Sequence, residues 1–96
     1  MKHYFVAQIR IHDPSEYDKY LENFDDIFSR FKGEYLAIDE APALLEGNWD
    51  YTKSVLIKFE SKKDFEEWYY SKDYQDILKH RLKAAKCDSI LLSGLD

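Results

Sequence analysis

The chain has 96 residues, 17% of them aromatic, with 19 acidic against 14 basic side chains and a formal net charge of −5. That hydrophobic content excludes a disordered segment, and the length suits one domain, residues 1–96, with a core that needs no staples. The acidic balance gives no general attraction for phosphate backbones, so no nucleic-acid partner is expected.

One cysteine, Cys87, leaves no disulfide within the chain and no cysteine-based zinc site. No stretch has the apolar run of a signal peptide or approaches a membrane span, so a cytoplasmic protein with no membrane partner is the expectation.

The first element, "HYFVAQIRI", alternates: Phe5, Ala7, Ile9 and Ile11 point one way, and Tyr4, Val6, Gln8 and Arg10 the other. Period two predicts a strand. "DPSE" then places Asp13 at an N-cap, Pro14 at the first helical position and Glu16 at the third. Tyr17, Tyr20, Leu21, Phe24, Ile27, Phe28 and Phe31 form the apolar stripe of the helix that follows, and Gly33 is placed as its stop. Glu34 to Gly47 reads as an extended segment interrupted near Asp39–Pro42, because Pro42 cannot donate to a ladder.

"NWDYTK" reads as a turn, and "SVLIKFE" as a third strand with Val55, Ile57 and Phe59 opposed to Leu56 and Lys58. Ser61 caps a second helix, with Asp64 at its third position and Phe65, Trp68 and Tyr69 facing inward. Ser71 interrupts and caps a further short helix carrying Tyr74, Ile77, Leu78, Leu82 and Arg81 on one side. "KHRLKAAK" is its cation-rich end, which suits the negative terminus of the helix dipole. "CDSILLSG" closes the chain as a strand.

The order β-α-β-β-α-β predicts an α+β, ferredoxin-like antiparallel sheet with its helices on one face, because right-handed crossovers place them there. The far face would carry Tyr4, Val6, Gln8, Leu56, Lys58, Leu91 and one of the Leu44–Leu45 pair. An apolar sheet face calls for cover, and a second copy related by a two-fold axis is the simplest cover. A homodimer is therefore expected, with the monomer as the alternative.

Asp13-Pro14, Tyr17 and Tyr20, Gly33 with Tyr35-Leu36, Leu45-Glu46-Gly47 with Trp49, Phe59 with Ser61, Trp68-Tyr69, Ser71, Tyr74-Gln75 and Arg81 stand in one order along the chain. In that order they resemble the bacterial family known as domain of unknown function 1330, of the dimeric α/β-barrel superfamily. The family's Arg-Gly-Gly is replaced here by Ile38-Asp39-Glu40, and a proline of its Trp-Tyr motif by Lys72. The resemblance implies the same fold, pairing into a dimeric α/β barrel, and no reaction. Relatives in the superfamily include cofactor-free monooxygenases, haem-degrading enzymes, lactone isomerases and plain ligand-binding modules.

No residue pattern calls for a metal or a cofactor: His3, His12 and His80 lack ligand spacing, and phosphate loops and a nucleophile elbow are missing. A small-molecule pocket remains, with Trp49, Trp68 and Tyr69 as walls and Gln8, Asp39, Glu46 and Arg81 as polar tips. Arg81 suits a carboxylate or phenolic oxygen, and Asp39 or Glu46 could act as base. The alternatives are that Arg81 pairs with Glu46 or Asp39 and holds the fold, and that Trp68 and Tyr69 are core. A cofactor-free enzyme, a non-catalytic ligand-binding module and a purely structural dimer all fit these residues.

Overall fold

The computed structural model describes residues 1–95. Its elements are β1 (His3–Ile11), α1 (Pro14–Phe28), β2 (Gly33–Asp39), β3 (Lys53–Phe59), α2 (Lys62–Tyr69), α3 (Lys72–Ala84) and β4 (Ala85–Ser93). The four strands form one antiparallel sheet in the order β2-β3-β1-β4. The helices cover one face, which is the ferredoxin-like arrangement. The resulting slab measures 33 × 32 × 15 Å.

Local chemistry sets the helix starts. Asp13 accepts from Glu16 N at 3.2 Å, Ser61 from Asp64 N at 3.1 Å and Ser71 from Tyr74 N at 3.2 Å. Each satisfies an N–H that the first helical turn leaves without a backbone partner. The break at Ser71 splits the second helical segment into α2 and α3.

The covered face holds the core. Phe5, Ala7 and Ile9 of β1 and Ile57 and Phe59 of β3 meet Tyr17, Tyr20, Phe24, Ile27 and Phe28 of α1. Trp68 is fully buried at the centre, with seven aromatic rings around it: Phe5, Phe24, Phe28, Phe59, Phe65, Tyr69 and Tyr74. The nearest centroid, that of Tyr74, is 4.3 Å away. Most of these pairs meet edge-to-face, the arrangement that opposes a ring's negative face to another's positive rim.

Three expectations are corrected. Gly33 does not stop α1; the helix ends at Phe28, and Ser29 to Phe31 close it with short backbone bonds. Gly33 instead begins β2 where a Cβ would lie 2.5 Å from the Phe28 ring and 2.8 Å from the Phe59 ring. Leu44 and Leu45 are not on the sheet, because β2 ends at Asp39 and residues 40–52 form a loop. Leu91 is not on the far face either: it pairs with Phe5 and packs against the core.

That register puts Ile90 and Leu92 outward instead. One row across the uncovered face reads Ala37, Leu56, Val6, Ile90, and the next Glu34, Lys58, Tyr4, Leu92. Ile90 is 57% and Leu92 47% exposed. Lys58 bonds Glu34 at 3.1 Å at the border of this apolar band.

Replacing Gly33 with Ala should cost about 1–3 kcal/mol by overpacking. If the Phe28 ring is the obstacle, the cost shrinks in a Phe28→Leu background, and a double-mutant cycle in urea reads that coupling. Gly47 has φ +86° and open space around it, so Gly47→Ala should cost about 1 kcal/mol through the backbone alone, whatever stands at Phe28.

Candidate ligand cavity

A cavity of about 310 Å³ lies between α1 and the covered face of the sheet. Phe5, Ala7, Ile9, Val55 and Ile57 floor it, and Tyr17, Tyr20, Phe24, Tyr35 and Trp68 wall it. Leu21 and Asp25 of α1 and Ile38 of β2, all exposed, mark its mouth. The β-bulge between Tyr35 and Ala37 turns both Tyr35 and Ile38 to this side.

Two cations line the same space. Arg81, on the inner side of α3, is only 3% exposed, and Lys53, at the start of β3, is 9% exposed. The Arg81 guanidinium stacks 5.6 Å from the Tyr20 ring centre, and the Lys53 ammonium lies 5.4 Å over Tyr17. Among the described residues neither has a carboxylate within ion-pair distance, and Arg81 Nε makes no hydrogen bond. Trp68 Nε1, on another wall residue, is also buried without a partner. Burying an unpaired ion costs several kcal/mol, and cation–π contact with a tyrosine returns only about 1–2.

The phenols cannot supply the missing negative charge. Burial pushes Tyr17 up to about 12, with the Arg81 charge opposing the rise in part. Tyr20 is held well above its ordinary range and Tyr74 is also raised, chiefly by burial. Their hydroxyls bond each other at 2.8 Å. At neutral pH the cluster therefore consists of neutral hydrogen-bond donors around a fixed positive charge.

Of the residues singled out from sequence, Trp68 and Arg81 come together in this cavity. Gln8 lies on the opposite face of the sheet between Ser54 and Asp88. Asp39 ends β2 and accepts from Ala41 N at 2.9 Å. Glu46 and Trp49 belong to the loop after β2, where Trp49 packs on Tyr51 at 5.1 Å. Tyr69 is half-buried, packs against the core and stacks on Phe65, but does not line this cavity. The expected pairing of Arg81 with Glu46 or Asp39 does not form. Sequence reading missed Lys53, Tyr17, Tyr20 and Asp25 as cavity residues. For Lys53 a signal existed, since it shares the parity of Val55, Ile57 and Phe59.

A family model described as "Domain of unknown function (DUF1330)" matches residues 2–95. No curated protein matches the chain. Among solved structures, the RPA0582 protein of unknown function from Rhodopseudomonas palustris superposes with a TM-score of 0.80 at 19% identity, over 99% of this chain and 83% of that one. SnoaB, a cofactor-independent oxygenase from Streptomyces nogalater, gives 0.68 at 14% identity over 99% and 94%. A dimeric ferredoxin-like protein of unknown function from Jannaschia sp. CCS1 gives 0.74 at 12% over 98% and 100%. At these identities the likeness is one of fold.

The raised tyrosines predict an alkaline limit to stability. A neutral phenol favoured by the folded state contributes stability that is fully present below pH 10 and lost as pH rises toward about 12, the folded value of Tyr17. Ultraviolet titration should show Tyr17, Tyr20, Tyr35 and Tyr74, all raised chiefly by burial, ionising only well above pH 10, together with loss of near-ultraviolet circular dichroism. Full ionisation of all eight tyrosines near pH 10 in a folded chain would contradict the buried cluster.

Proposed function

Given that the chain belongs to the family described as "Domain of unknown function (DUF1330)", we propose that it is a homodimer binding a small, mainly apolar organic acid in the cavity between α1 and the sheet. One observation carries this reading: Arg81 is buried at 3% exposure with no carboxylate within ion-pair distance among the described residues. An ion left so is costly unless something neutralises it, and a carboxylate or phenolate entering the cavity does so through the planar guanidinium fork. At about 310 Å³ the space stands at the small end of ligand pockets, which fits a molecule of roughly ten to fifteen heavy atoms.

The dimer reading is supported by the uncovered apolar rows, Leu56–Val6–Ile90 and Tyr4–Leu92, bordered by the charges of Lys58, Glu34 and Asp88. An apolar centre with a charged rim is the anatomy of a protein interface. The description of the Jannaschia protein as dimeric agrees with it. Ile90→Lys should leave the protomer folded, because Ile90 is already 57% exposed, and should shift sedimentation from dimer to monomer. A wild-type protein that sediments as a monomer at micromolar concentration ends this part of the proposal.

A cofactor-free enzyme acting on the same ligand is the second reading. The proton-bearing Tyr17, Tyr20 and Tyr74 beside one fixed cation favour it, and SnoaB shows that the fold accommodates such chemistry. Turnover of a bound acid that Tyr17→Phe abolishes without loss of binding would support it; binding with no turnover over a broad panel would leave the binding module.

Arg81→Met separates a ligand role from a structural one. A structural arginine loses stability on truncation. An unpaired buried cation does the opposite: apo protein should gain about 1–2 kcal/mol. Benzoate-class ligands at about 100 times their dissociation constant should stabilise the wild type by about 2.7 kcal/mol and the Met variant hardly at all. Thermal melts with and without ligand read both effects, and a destabilised apo variant that still responds to ligand would refute the assignment.

A further inference from the structure

The charge left over in the cavity goes beyond what one carboxylate answers. Lys53 reaches the same space as Arg81, is 9% exposed, and has no ion pair among the described residues. Asp25 lines the cavity and the charge of Glu40 is felt at Tyr17, and neither forms an ion pair with Lys53 or Arg81. A monoanion on Arg81 therefore leaves a second buried cation unanswered.

Two neighbouring tyrosine rings carry the two cations. Lys53 lies over the Tyr17 ring and Arg81 over the Tyr20 ring, and the two rings are neighbours with centres 5.6 Å apart. Cations over neighbouring rings can be met together by one flat body that carries an oxygen acceptor at each end. The rings of Tyr17, Tyr20 and Phe24 between the two ends offer aromatic faces to such a body.

Resting on the reading of the cavity as an organic-acid site, we infer that its ligand is two-ended: a small planar acid with its carboxylate on Arg81 and a second oxygen acceptor, on the opposite end, at Lys53. Hydroxy-, keto- and dicarboxylic acids of benzoate size meet this description, and plain alkyl or aryl monoacids do not. Lys53 is accordingly the residue that sets specificity, and Arg81 the one that sets affinity for acids in general.

Calorimetric titration at neutral pH with 4-methylbenzoate, 4-hydroxybenzoate and terephthalate tests this. The first two share shape and differ in the end atom. A hydrogen bond to a charged donor contributes about 1.5–3 kcal/mol, so 4-hydroxybenzoate and terephthalate should bind at least about tenfold more tightly than 4-methylbenzoate. In Lys53→Met, which keeps the aliphatic stem over Tyr17, that preference should fall to near unity while 4-methylbenzoate affinity moves less than about twofold. Equal binding of the three acids to the wild type would overturn the two-ended ligand and leave the acid site standing, with no need of a variant. So would a preference that survives in Lys53→Met, or a loss shared equally by all three. Failure of every acid to bind would instead remove the acid site itself.

Discussion

Everything in this molecule is arranged around one side chain that no water reaches. Trp68 projects from the two-turn helix α2 into the middle of the covered sheet face, and rings from β1, α1, β3, α2 and α3 close on it. A helix of eight residues cannot hold itself together in water. It is held because its one large apolar group is shared by the other layers. Shrinking Trp68 would open a void at the junction of five elements and cost about 3–5 kcal/mol, a large share of the stability of a domain this size.

The same crowding explains the cavity. Aromatic rings are flat and stiff, and packing them at angles leaves gaps that aliphatic side chains would fill. The gap between Tyr17, Tyr20, Phe24 and the sheet stays open to the mouth at Leu21 and Ile38. Into this space, rather than an apolar one, two cations project. Their positions follow from elements with other duties: Arg81 lies on the packed side of α3, and Lys53 opens the strand that pairs with β1. Structure and candidate chemistry therefore share one set of residues.

Much of this was legible in the chain. Period-two alternation located β1 and β3, the caps Asp13, Ser61 and Ser71 located the helix starts, and the order of elements gave the sheet topology. Readings failed where an element's limits depend on a partner strand. Leu91 could face either way until pairing with Phe5 fixed it, because a one-residue slip reverses every side chain of a strand. Gly33 looked like a helix stop because glycines serve that role; its real constraint, two phenyl rings against its Cα, is visible only in three dimensions. Of the cavity, Arg81 and Trp68 were legible from helix periodicity. Lys53 was passed over, although its parity with Val55, Ile57 and Phe59 points inward, because a lysine at a strand end reads as solvated.

The sheet order has a consequence for how the chain is made. β1 is a central strand, yet its neighbours β3 and β4 follow it by some 50 and 80 residues. While synthesis proceeds, the most apolar strand has nothing to pair with, and one of its edges stays bare until the last element arrives. Contacts of such long sequence separation slow folding, and a bare edge recruits other chains. The docking of β4 is therefore the step that removes the last bare edge of β1.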